Sequence, residues 1–395
     1  MPHKRRKAYY GPTLLSYGFR PFFLLALIFA STVIPLWVAT YQGFVEISGP
    51  FQSVDWHVHE MLFGYSAAVI CGFLFTAIPN WTGRMPIRGW PLGVLIFLWI
   101  AGRLAMSGIG GFRPPFIVLI IDSSFLFAVG LMVVIEVVAG RNWKNLKVII
   151  PILIFLGANI LYHTEVLTQG SAGYGRRLGF AVVVFLITLI GGRVIPSFTR
   201  NWLAKSNQGK LPVPFNRFDG VCLVAGACAL IAWVILPNAR FVGWILIITS
   251  GLHLVRLLRW RGYRTFRSPL LVMLHVAYSF IPLGLFVLGI GAQTAGLHLL
   301  GIGAIGGMTT AVMIRASLGH TGRALIASSS LVVAFLLIVL AAIIRSAAPY
   351  VEVAMLSGIE IAAIIWTIGY AMILFHLGPW LCSASIKRRT PSKLP

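Results

Sequence analysis

The chain has 395 residues, 58% of them hydrophobic and only 10% charged, with a formal net charge of +23. A soluble domain carries roughly 45–50% apolar and about 25% charged residues, so an aqueous globular fold is excluded and the solvent for most side chains is lipid. The basic residues sit in short connections between apolar runs, where they meet anionic headgroups, and this placement excludes nucleic acid as a partner.

In chain order, His3-Lys4-Arg5-Arg6-Lys7 resembles a signal-peptide n-region, but the apolar run from Phe22 to Tyr41 is too long and lacks a small-residue cleavage site. It is read as the first membrane span. A bilayer core takes about 20 apolar residues. Windows of that length predict twelve spans, at 21–42, 61–79, 91–109, 115–139, 147–166, 177–196, 219–236, 241–258, 269–290, 295–314, 324–344 and 353–378. The predicted fold is therefore an all-α, polytopic integral membrane protein. A basic segment (1–19) and a basic tail (381–395) flank one membrane domain (20–380).

Twelve spans put both termini on one side. The connections on that side hold 24 Lys and Arg residues against 5 on the other, so the termini are predicted to be cytoplasmic. Among the acids, Glu46, Asp55, Glu60, Asp122, Glu165, Glu352 and Glu360 then fall toward the outer side, and Glu136 and Asp219 toward the inner. This is either the other aspect of the charge bias or an acidic mouth for protons or cations. A longer connection at 197–218 divides the spans six plus six, as in many transporters, without an internal repeat. Gly301, Gly303, Gly306 and Gly307 mark close helix approach in the tenth span. Cys71, Cys222, Cys228 and Cys382 lack metal or disulfide spacing and read as small apolar residues.

An ionisable side chain inside a span is costly and is by default a functional hypothesis. Nine histidines are therefore the most informative feature. His57, His59, His163 and His298 project to the outer boundary and are expected to ligate metal. His253, His275, His320 and His376 lie in the middle or inner half. Any one of them is as well explained by a hydrogen bond to a carbonyl across a helix interface. The pair in Trp56-His57-Val58-His59-Glu60 serves one centre if the segment is extended and two if it is helical, because residues two apart on a helix point to nearly opposite sides. Glu60 is placed to orient an imidazole, to pass protons as the catalytic acid, or merely to compensate a helix dipole. Arg193, within Gly191-Gly192-Arg193-Val194-Ile195-Pro196, either meets a buried anion or snorkels to the headgroups. Arg103 and Asp122 read as an ion pair between consecutive spans.

Six blocks in order resemble the NnrS family: Phe19-Arg20-Pro21-Phe22-Phe23, Trp56-His57-Val58-His59-Glu60-Met61-Leu62-Phe63-Gly64, Pro79-Asn80-Trp81-Thr82-Gly83, the Gly191–Pro196 block, Gly303-Ala304-Ile305-Gly306-Gly307-Met308 and Gly319-His320-Thr321-Gly322-Arg323. The likeness runs from about residue 17 to 325, and the last two spans match only as apolar helices. What it implies is a multi-pass protein of the bacterial inner membrane, with copper and a b-type haem, acting in the response to nitric oxide or in denitrification. The family's motifs match at His57, His59, Glu60, His163, Arg193, His275, His298 and His320; of these, His275, His320 and Arg193 are expected to bind the haem, and an unidentified electron donor to serve the site. Reduction of nitric oxide to nitrous oxide is the activity expected. A haem or copper carrier, a nitric oxide binding protein without turnover and a secondary transporter are the alternatives.

Overall fold

The computed structural model describes residues 9–109, 111, 114–205 and 209–386; His3, the basic residues of both tails and Arg113 lie outside the described residues. Twelve helices among the described residues are long and apolar enough to cross a bilayer. They are α1 (Phe19–Tyr41), α2 (Ser53–Thr82), α3 (Trp90–Ser107), α4 (Pro115–Ala139), α5 (Asn145–Gln169), α6 (Tyr174–Lys205), α7 (Arg217–Ile235), α8 (Arg240–Arg264), α9 (Pro269–Gly289), α10 (Gln293–His320), α11 (Ser329–Ser346) and α12 (Gly358–Cys382). Each predicted span has its helix. A helix is favoured here because backbone groups in lipid can be satisfied only within their own segment or in a closed barrel.

Several helices outrun their apolar windows. The second begins at Ser53 rather than 61, so the Trp56–Glu60 motif is helical. The twelfth begins later than predicted, at Gly358, because residues 352–357 form a short antiparallel hairpin, β1 (Glu352–Val353) with β2 (Leu356–Ser357). A capping box fixes that start: the Ser357 hydroxyl takes the Glu360 backbone N–H while the Glu360 carboxylate takes that of Ser357.

Arg20, buried at the start of α1, donates to the carbonyls of Trp380 (3.2 Å), Leu381 (2.7 Å) and Ser383 (2.7 Å) and to the Ser385 hydroxyl (2.9 Å). These oxygens belong to the end of α12, where the last turn has no intrahelical donors left. The contact closes the bundle, since α12 packs against both α1 and α11. It also sets both described ends on one face, called here the terminal face, and the other is the far face.

Burial sorts the helices into layers. In α2, 78% of the most apolar window is buried and in α9 and α10 67%, against 33% in α3, α5, α8 and α11. The first three are the centre, and the others show lipid much of their surface. Small residues let the centre close up. The Phe280 ring of α9 fills the space where Gly303 would carry a Cβ, and Trp366 of α12 stands 2.9 Å from the equivalent point at Gly306. Both α2 and α10 contain a π-helical stretch, Glu60–Ser66 and Leu299–Gly306, and each stretch follows directly on a histidine, His59 and His298. Such stretches recur at functional sites because they turn side chains out of α-helical register.

Candidate metal centre

His59, Asp122 and His163 come together inside the bundle, each offering one ligand atom, all three atoms within 4.8 Å of one another. The three are almost completely buried, at 0%, 3% and 1% exposure. His59 is the seventh residue of α2 and Asp122 the eighth of α4, while His163 stands six residues before the end of α5. At 1.5 Å per residue the cluster lies roughly 10 Å below the far face. Asn159 shares the inward side of α5 with His163, as a spacing of four requires on a helix.

His59 Nε2 stands 3.2 Å from Asp122 Oδ2 and 2.9 Å from Asn159 Oδ1, and His163 Nε2 is 3.1 Å from the same Asp122 oxygen. Asn159 donates its amide to that oxygen as well, at 2.7 Å. On its other side the His59 ring meets Glu60, with Nδ1 3.2 Å from Oε1. Arg103 of α3 bridges the two acids, donating to Glu60 Oε1 at 2.6 Å and to Asp122 Oδ1. The ion pair expected between Arg103 and Asp122 is therefore present, with Glu60 as its third member. Gly64 makes room for it, because a Cβ there would stand 2.6 Å from the guanidinium. Phe51, Phe63 and Tyr162 close over the imidazoles with ring centroids 4.9–5.4 Å away, which keeps the cluster dry.

This donor set suits a single metal ion. Bonds of about 2.0–2.2 Å in a tetrahedral site put neighbouring ligand atoms roughly 3.3–3.6 Å apart, close to the separations observed. Two imidazoles with one carboxylate suit copper, zinc or non-haem iron. The charges agree. Two carboxylates face one guanidinium, so a dry cluster has room for one more positive charge, on His59 or on a metal.

The other expected site residues lie elsewhere. His57, two residues from His59 on a helix, points away from the cluster and stacks on Trp37 at 4.2 Å, with its Nδ1 buried and unpartnered among the described groups. His298 lies in the far-face end of α10. Its Nδ1 donates to the Thr294 carbonyl at 2.7 Å, which leaves Nε2 free of that bond. Of the four far-side histidines, His59 and His163 thus meet in the cluster, and His57 turns away from it. His275 bonds Thr199 through Nε2 at 2.9 Å, and its Nδ1 abuts Gly262. His253 bonds Tyr278 through Nδ1 at 2.9 Å, and its Nε2 abuts Gly226. Neither of these two has space beyond its open nitrogen for a macrocycle. His320 is exposed, with its ring near Tyr17 and Phe19, and Arg193 is exposed on α6. Both stand toward the terminal face. Sequence reasoning missed the ligand role open to Asp122, which it had assigned to Arg103 alone, and it missed Asn159. Glu165 is occupied structurally: its carboxylate accepts the backbone N–H groups of Gly173, Tyr174 and Gly175 at 2.8–2.9 Å and so caps α6.

A twelve-span helical bundle with a dry histidine–carboxylate cluster defines a membrane protein with a candidate metal centre. The family model for the NnrS protein matches residues 13–385, nearly the whole chain, and the chain belongs to the NnrS family. The match takes in the last two spans, beyond the reach of the motifs. No curated protein matches the chain.

Proposed function

We propose that the chain holds a copper ion at His59, Asp122 and His163 and acts there on nitric oxide, reducing it to nitrous oxide. The observation that carries this reading is the convergence of three buried ligand atoms within 4.8 Å, in a family associated with haem and copper. The reaction joins two nitric oxide molecules with two electrons and two protons to give nitrous oxide and water. A reduced metal supplies the binding and electron-transfer chemistry when bound. Glu60, at Nδ1, fixes the His59 ring with Nε2 toward the metal, and the aromatic cover excludes water while admitting a small apolar gas dissolved in lipid. Glu60, between Arg103 and the His59 ring, is the acid proposed to serve the reaction. For the haem of the family association, His298 offers its Nε2 on the far side and the exposed His320 its ring at the terminal face.

Metal analysis of the purified chain, with gas measurement under reductant and nitric oxide, tests this. About one transition-metal ion per chain and nitrous oxide formation are expected. His59→Ala and His163→Ala should each lose most of the ion while the protein still inserts, and His376→Ala should keep it. Metal-replete protein that binds nitric oxide but forms no nitrous oxide would leave a binding or carrier role. Full metal content in both cluster variants would remove the centre from this site.

The orientation proposed is that of a bacterial inner-membrane protein with the terminal face in the cytoplasm, which turns the cluster outward. Reporters fused to either end are expected to be active only in the cytoplasm. An active periplasmic reporter at either end would reverse the site's facing.

A further inference from the structure

At the terminal face a cavity of about 250 Å³ opens between α6, α9, α10 and the segment leading into α11. Three cations line it, Lys205 at the end of α6, Arg267 just before α9 and Arg315 on α10. Asn201 and Ser268 add neutral polar groups. Arg315 lies five residues before the end of its span, roughly 7 Å into the bilayer, partly buried and flat over the Phe198 ring at 3.8 Å. The ring holds the guanidinium in place but does not neutralise it.

None of the chain's nine acids lines this cavity. Glu60 and Asp122 hold Arg103, Glu136 holds Arg84, and Asp219 holds Arg256. Glu165 and Glu360 cap helices, Asp55 takes the Tyr162 hydroxyl, and Glu46 and Glu352 lie in far-face connections. Three cations around one hollow, with no carboxylate among the described residues to answer them, repel one another unless an anion sits between. The first turn of α9 adds to the field: Pro269 and Leu270 line the cavity at the N-terminus of a 21-residue helix, where the dipole favours negative charge.

We infer that this cavity is a binding site for a phosphate group held by Lys205, Arg267 and Arg315. Its level, where α6 and α10 leave the bilayer, is that of lipid headgroups. The volume suits a phosphate with a small polar substituent. A basic pocket between helices on such a face is the arrangement that takes anionic headgroups, and a bound headgroup would tie α6 and α9 to the central helix α10. Inorganic phosphate offers the same chemistry from the aqueous side.

The test uses the full chain purified in a neutral detergent, with thermal unfolding followed against added phosphatidylglycerol, phosphatidylcholine or inorganic phosphate. Saturable stabilisation by phosphatidylglycerol but not phosphatidylcholine is expected. Arg267→Gln with Arg315→Gln should weaken it at least tenfold, while Arg217→Gln, on the same face outside the cavity, should not. Equal protection by millimolar inorganic phosphate, lost in the same variant, would make the ligand a soluble phosphate. Equal stabilisation by the two lipids and none by phosphate, or unchanged phosphatidylglycerol affinity in the double variant, would overturn the site. Arg267→Lys guards against misfolding, since it retains the charge and should keep binding within a few-fold.

Discussion

Asp122→Ala is expected to be the most damaging single change in the first half of the chain. One carboxylate there accepts from or faces Arg103, His59, His163 and Asn159. Removing it leaves the Arg103 guanidinium with Glu60 alone and takes the shared acceptor from His59, His163 and Asn159 in a dry cluster. Each buried polar group left without its partner costs about 1–3 kcal/mol, and three lose theirs at once. The site should also lose its metal, since the shared oxygen is the point on which both histidines converge. Asp122→Asn separates the two effects. It keeps the shape and the bonds to neutral donors but removes the charge that a cation needs, so metal content should fall further than stability. Thermal unfolding and metal analysis of the two variants make the comparison. An Asp122→Ala protein that melts like the parent and retains its ion would show that the cluster is neither a structural keystone nor a metal site.

How much of this was legible without coordinates depended on whether the signal was local. Apolar length is local, and it predicted every span. Where the ends were misjudged, the cause was polar residues that continue a helix: Ser53 to His59 are too hydrophilic for a hydropathy window, yet form two turns of α2. The motif there had been read as conditional, with one centre if extended and two if helical. The helical outcome, about 200° of rotation between His57 and His59, sends one ring to Trp37 and the other to Asp122. What the sequence could not supply is depth and azimuth together. His163 and His298 share a depth, but rotation about their helix axes decides which neighbour each meets. The π-helical stretch after each of His59 and His298 alters that rotation in a way no residue pattern displays. Arg256 was misread for a related reason. It stands at the edge of an apolar window beside four further basic residues of the loop, and so was counted as a topogenic charge. In the structure it is fully buried.

The second large effect is expected at that arginine. Arg256 donates to Asp219 Oδ1 (3.0 Å), to the Thr188 carbonyl (2.9 Å) and to the Tyr278 hydroxyl (3.1 Å), linking α8 to α7, α6 and α9. Each half of the bundle thus has one buried Arg–Asp pair, Arg103–Asp122 among the early helices and Arg256–Asp219 among the later ones. Only the first has two histidines at its carboxylate. The second pair is therefore assigned to helix assembly, and its removal should spare the metal. Gly192 of α6 lies against the Arg256 guanidinium, so closely that an added Cβ would displace it. Arg256→Ala should cost about 3 kcal/mol by leaving Asp219 with only the longer contact to Arg259, at 3.9 Å, and Gly192→Ala should reproduce part of that loss by moving the guanidinium. Arg256→Met combined with Asp219→Leu removes both charges at once and is expected to be more stable than Arg256→Ala alone, since no buried carboxylate is then left short of its main partner and Arg259 is partly exposed. Unfolding midpoints of the purified variants, read beside their metal content, decide the matter. A double variant no better than the single would mean that the arginine acts through its bonds to Thr188 and Tyr278. Loss of metal from folded Arg256→Ala protein would mean that the two halves are coupled and that this pair serves the centre as well as the fold.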